Sequence, residues 1–104
     1  MSKSIAWKQF EQITARRMRD LGYDARRNWS TQFERHDAVD IVALPYLLQL
    51  KYGNKPNLRN AWVQANSQAK KGEIPVGVAR YKGQTLTLVA LSWKDFKTLI
   101  EREI

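Results

Sequence analysis

Asp40, Gln49 and Lys51 are the residues of this chain whose types and spacing best support chemistry. Val39–Leu44 and Tyr46–Tyr52 read as adjoining strands, and only the stretch Leu44-Pro45-Tyr46 turns one into the other. A side-chain period of two sets Gln49 and Lys51 on one face of the second strand and Leu48 and Leu50 on the other. A tight hairpin then brings Asp40 across from Gln49. A hard cation takes oxygen ligands, and a scissile phosphate takes that cation together with a positioned positive side chain. The combination points to phosphodiester cleavage. The side-chain oxygens of Asp40 and Gln49 and the backbone carbonyl of Leu50 would hold Mg²⁺ (or Mn²⁺). Lys51 would orient the attacking water or steady the charge that develops on the phosphate.

Each of these residues also has a plainer reading. Asp40 lies between Val39 and Ile41, where a carboxylate without a partner is costly. It is therefore either a metal ligand or half of an ion pair. Gln49 equally reads as a buried amide bonded to a neighbouring strand, and Lys51 as the ion-pair partner of Asp40. Asp37 is a reserve ligand, placed by its surroundings in a solvated loop. The chain has one histidine, His36, and no cysteine. Histidine triads, multi-histidine metal sites, disulfides and zinc–thiolate centres are thereby excluded.

The elements that must position these groups follow from apolar periodicity. Phe10, Ile13, Arg17 or Met18, and Leu21 mark a helix from about Ser4 to Leu21 that stops at Gly22. Tyr23–Asn28 reads as a short strand, and Trp29–Ala38, polar and aperiodic, as a loop. After the hairpin, a second helix spans about Asn57–Lys71, with Leu58, Ala61 or Trp62, Ala65 and Ala69 facing inward and Gly72 at its end. Strands near Pro75–Tyr81 and Thr85–Leu91 follow, joined at Lys82-Gly83-Gln84. Ser92-Trp93-Lys94-Asp95 then carries a capping-box pattern that opens a last helix with Phe96, Leu99 and Ile100. The order α-β-β-β-α-β-β-α predicts an α/β fold, a central mixed sheet flanked by helices. The strand entered after the helical crossover should run parallel to a neighbour. With 104 residues and 43% hydrophobic content, the chain supports one domain over residues 1–104 and argues against disorder. No apolar run approaches the ~20 residues that span a bilayer, so the expectation is a cytoplasmic protein without membrane contact.

Eighteen Lys and Arg against ten Asp and Glu leave a net charge of +8. This favours a polyanionic partner bound through its phosphates. Arg16, Arg17, Arg19, Arg26 and Arg27 form the densest group, with Lys55, Arg59, Lys70 and Lys71 around the second helix. Trp29 and Phe33, in the loop with Arg35 and His36, either stack on bases or pack on the protein itself. Gln64 and Gln68 are four apart and share one helix face.

The element order, the glutamate of Phe10-Glu11-Gln12, the turn Leu21-Gly22-Tyr23 before a basic strand, Asp40-Ile41-Val42-Ala43 and Gln49-Leu50-Lys51 together resemble the PD-(D/E)xK nuclease superfamily. Within it the chain is most similar to small Holliday-junction resolvases of archaea and their phage relatives. Gln49 stands where that family usually has glutamate, which removes one negative charge from the site. The resemblance implies a restriction-endonuclease-like fold and a metal-dependent, structure-selective DNA endonuclease of DNA recombination. It adds Glu11 to the ligand set, reaching over the sheet directly or through water. On the residues alone, Glu11 reads as a solvated flank of its helix. The resemblance also sets Gln64 and Gln68 at the border of the site, where they contact phosphate or water, although an ordinary solvent face fits them equally. Arg16, Arg17, Arg26, Arg27, Lys55 and Arg59 become contacts to branched or duplex DNA. Cutting two symmetric strands implies a homodimer, for which Trp93, Phe96, the last helix and the sheet edge are interface material. The compact size fits a phage origin. Two alternatives remain open: a catalytically degenerate nuclease fold kept as a DNA-binding module, and an assembly protein whose basic face meets an acidic protein.

Overall fold

Gly22 ends the first helix, and its φ of 100° is the left-handed conformation that glycine adopts without strain. In the computed structural model, which describes residues 5–27 and 39–103, this helix, α1, spans Ile5–Asp20. Strands β1 (Arg26–Arg27), β2 (Ile41–Ala43) and β3 (Tyr46–Gly53) follow, then helix α2 (Leu58–Gln68). Strands β4 (Ile74–Tyr81) and β5 (Thr87–Ala90) and helix α3 (Trp93–Glu101) complete the chain. The predicted element order is present, in a single α/β domain. The expected roles of Trp29, Phe33, Arg35, His36 and Asp37 fall outside the described residues.

The five strands form one sheet in the order β1-β2-β3-β4-β5. All neighbours are antiparallel except β3 and β4, which pair in parallel across the α2 crossover, as expected. Long, largely buried strands occupy the centre: β3 is apolar toward α1 and carries Gln49 and Lys51 among the residues of its other face, while the buried positions of β4 are apolar throughout.

One face is covered by α1. Phe10 and Ala15 pack there against Ile41, Ala43, Leu48, Leu50, Val76 and Val78. Tyr23 and Tyr46 meet edge to face at that end, with ring centroids 5.4 Å apart. Burial, then hydrogen bonding with Tyr23, pushes the Tyr46 hydroxyl above its ordinary pKa. The other face is covered by α2, whose Ala65 packs on Val39, Val42 and Leu47. A Cβ added at Gly77 of β4 would lie 2.7 Å from the Trp62 backbone nitrogen and 3.0 Å from the Leu58 carbonyl oxygen. The missing side chain is what lets α2 lie directly on the strand.

Several boundaries differ from the sequence reading. The inward stripe of α1 is rotated: Glu11 and Thr14 are buried with Phe10 and Ala15, while Leu21 is exposed. Thr14 is accommodated because its Oγ1 donates to the Phe10 carbonyl at 2.8 Å. Strand β1 starts later, at Arg26, because the Ala25 N–H donates locally to the Tyr23 carbonyl, a turn rather than a ladder; its expected end at Asn28 lies outside the described residues. Helix α2 ends three residues early, where Ala69 turns extended and the Lys70 N–H donates to Glu73 Oε1 at 2.8 Å. Helix α3 forms behind its Ser92 cap, as predicted, yet none of its residues is buried. No helix among the described residues is long and apolar enough to cross a membrane.

Candidate functional site

The β2–β3 ladder pairs Ala43 with Tyr46, Val42 with Leu47 and Ile41 with Leu48. Its next rung would join Asp40 to Gln49, and there the regular pairing gives way. The Asp40 N–H donates to the Leu48 carbonyl at 3.1 Å, and the Leu50 N–H donates to Asp40 Oδ2 at 2.9 Å. A carboxylate has taken the place of a strand carbonyl. The substitution satisfies a buried backbone donor that would otherwise be orphaned, through a charge-assisted bond stronger than the amide bond it replaces. It also fixes the carboxylate beside the backbone of Leu50, the residue between Gln49 and Lys51.

Gln49 sits in the middle of the sheet, paired with Gly77 of β4 and 8% exposed. Alternation from Leu47 turns Gln49 and Lys51 to the face covered by α2. The Gln49 Oε1 is buried and accepts no hydrogen bond. A buried acceptor left unmatched costs about 1–3 kcal/mol, so such an oxygen calls for a donor or a cation. Lys51 is half-buried and pairs in register with Ala79. Among the described residues it forms no ion pair with Asp40. Among the described residues, neither a hydrogen-bonded Gln49 oxygen nor a Lys51–Asp40 ion pair is present.

Helix α2 roofs this corner. Asn57 caps it, its Oδ1 accepting from the Asn60 N–H at 2.9 Å. That cap, Lys55 and Arg59 stand just beyond the end of β3 that carries Lys51, so the positive end of the helix dipole adds to the two cations. Lys55 and Arg59 are exposed, and Gln64 and Gln68 are half-buried along the same helix. Trp62, next to the close contact at Gly77, buries its indole N–H without an acceptor. The sequence reading gave neither Trp62 nor Gly77 a part in the site. A glycine inside a strand pattern was the available signal for close approach by another backbone.

Glu11 belongs to a different cluster, on the α1 side. Its carboxylate is 5% exposed and accepts from Arg27 at 3.2 Å and from the Trp7 indole at 3.1 Å. Arg27 pairs with Ile41, whose side chain faces α1, so this ion pair lies across the sheet from Gln49. The solvated-flank reading of Glu11 is overturned by its burial. The other predicted DNA contacts are spread around the molecule. Arg26 is exposed and pairs with Asp24 at 3.1 Å, a surface contact of little energetic weight. Arg16 is exposed, and Arg17 donates to Thr87 Oγ1 at 3.2 Å.

Asp40, just before β2, thus lies against the Gln49–Lys51 stretch of β3, and Lys55, Arg59, Gln64 and Gln68 belong to the segment that covers this face. No group of three or more acidic, histidine or cysteine side chains converges among the described residues. Any cation held here would rest on one carboxylate and amide oxygens, with water and substrate completing its shell. The unmatched Gln49 oxygen, one rung beyond the Ile41–Leu48 pair and so across from Asp40, fits that donor set. Comparison with known proteins returned no match: no family model matches the chain, nor does any curated protein or solved structure.

Proposed function

We propose that this protein is a metal-dependent DNA endonuclease, selective for branched or otherwise distorted duplexes and similar to the PD-(D/E)xK resolvases. The observation that carries the reading is that the Asp40 carboxylate is held on the backbone of Leu50, between the buried, unmatched oxygen of Gln49 and Lys51 on β3, in a chain of +8. Asp40 and Gln49, with the Leu50 carbonyl, would hold Mg²⁺ or Mn²⁺. Bound there, the ion supplies Lewis-acid polarisation of the phosphate and lowers the pKa of water. Lys51, two residues from Gln49 on the same face, positions the attacking water and offsets charge growing on the phosphoryl oxygens. Gln64 and Gln68 donate to phosphate from above. Lys55 and Arg59, beside the site, hold the DNA backbone and set its register. Glu11 enters this reading as the group that orients Arg27 rather than as a direct ligand. Two symmetric cuts require two sites, so the working form is a homodimer.

Cleavage of a four-way junction and of a linear duplex of the same sequence, with and without Mg²⁺, tests the proposal. Metal-dependent nicking of the junction should disappear in Asp40→Asn and Lys51→Ala while both variants still bind DNA. Because Gln49 brings no charge to the site, a DNA-binding module without catalysis is the second reading. It predicts tight, salt-dependent binding and no metal-dependent product from the wild type or either variant.

A further inference from the structure

The part of the molecule farthest from the β1 edge exposes a row of large apolar side chains. Strand β5 is the outer strand of the sheet and pairs only with β4 among the described residues, which leaves its other edge open. Helix α3 follows it and has no buried residue, although Trp93, Phe96 and Ile100 fall at a three-then-four spacing on one side. Trp93 is 73% exposed and Val89 60%. The Trp93 and Phe96 rings lean on each other with centroids 5.8 Å apart, and with Val89, Ala90 and Leu91 they line an open groove of about 570 Å³. A helix this short is marginal in water unless its apolar side is packed, and the described residues do not pack it.

We infer that this face, β5 and α3, is where a second copy of the same chain docks about a two-fold axis. Charge selects the occupant. Residues 85–91 carry no charge, and α3 itself carries two cations (Lys94, Lys97) and two anions (Asp95, Glu101). The face is neutral in a chain of +8, so it is where another +8 molecule can approach without repulsion and where a polyanion gains nothing. Mixed signs on one helix also suit an isologous contact, in which each copy offers cations to the other's anions. The exposed parts of Trp93, Phe96, Val89 and Ile100 amount to roughly 400 Å² per copy, about half of what each partner contributes to a standard interface. The two rings are the aromatic anchors such interfaces use. The inference takes up the dimer of the nuclease reading and gives it a surface. It stands if the chemistry fails, since an inert protein can still dimerise here.

Sedimentation equilibrium of the full chain from about 1 to 100 μM tests it, beside Trp93→Glu/Phe96→Glu and the milder Ile100→Glu. The wild type should reach twice the 12.1 kDa chain mass. The double variant should remain monomeric, with its dissociation constant raised by about a hundredfold or more and its circular dichroism unchanged. Should the double variant lose structure, Ile100→Glu, at an exposed position, carries the same comparison with a smaller shift. A wild type that stays monomeric at the highest concentration, a dimer unaffected by these substitutions, or open-ended assembly would each overturn the inference. Cleavage assays on the monomeric variants keep the two questions apart: loss of dimer with retained single-strand nicking leaves the nuclease reading intact.

Discussion

Gln49→Glu restores the carboxylate usual in the resembling nucleases at a position where the surroundings magnify its effect. The side chain is 8% exposed, and its Oε1 has no donor to receive it. A carboxylate placed there sits beside Asp40 without compensating hydrogen bonds, so its folded-state pKa should rise by about 2–3 units above the ordinary value near 4.3. At about 1.4 kcal/mol per unit, the metal-free variant should be less stable than the wild type by about 3–4 kcal/mol at neutral and alkaline pH. The sign follows from linkage. With the folded pKa raised, the variant matches the wild type below about pH 4 and loses stability as pH climbs toward about 7, where the deficit levels off. A divalent cation should reverse this, because it prefers the added charge. At about 100 times its dissociation constant it returns about 2.7 kcal/mol, whereas the neutral amide of the wild type binds more weakly and responds less. Urea unfolding at acid and neutral pH, with and without Mg²⁺, measures all four corners. A variant as stable as the wild type at pH 8 without metal would refute the claimed burial. A Mg²⁺ response no larger than the wild type's would refute the cation site.

Gly77→Ala should cost about 1–3 kcal/mol, since the new Cβ meets backbone atoms of Trp62 and Leu58 that only a shift of α2 can relieve; denaturant midpoints measure it. Glu11→Ala should destabilise by about 2–3 kcal/mol, because it removes the buried carboxylate that accepts from both Arg27 and the Trp7 indole, and the same unfolding assay measures it. Tyr46 has its pKa raised by burial and by Tyr23, so the stability it lends is intact below the ordinary value of 10.0 and is lost as pH rises through the higher folded value. Tyr46→Phe should flatten that alkaline limb in thermal melts taken across the range.

The order of elements was legible because each signal was local. Gly22 stops α1, Ser92 caps α3, Lys82-Gly83-Gln84 turns β4 into β5, and the α2 crossover dictates a parallel β3–β4 pair. The hairpin register was legible too, since Leu47 and Leu48 must face opposite layers. What stayed hidden depended on partners distant in sequence. The buried side of α1 could not be read from its own periodicity because Glu11 is tolerated inside only through Arg27 and Trp7. Nothing local marked Asp40 as a stand-in for a strand carbonyl, a role fixed by where the β2–β3 ladder ends. Alternation predicted that Gln49 and Lys51 share a face, but not that the Gln49 oxygen would be shut in without a donor. The apolar residues of α3 read as core by spacing and are exposed, because spacing reports an apolar side without saying what covers it.

Anomalous scattering from crystals soaked in Mn²⁺ decides whether Asp40 and Gln49 hold a cation. One strong peak should lie roughly 2.0–2.4 Å from an Asp40 carboxylate oxygen and from Gln49 Oε1, within reach of Lys51, and vanish in Asp40→Asn. Metal bound elsewhere, or a Gln49 oxygen still unmatched at saturating Mn²⁺, would rule the site out.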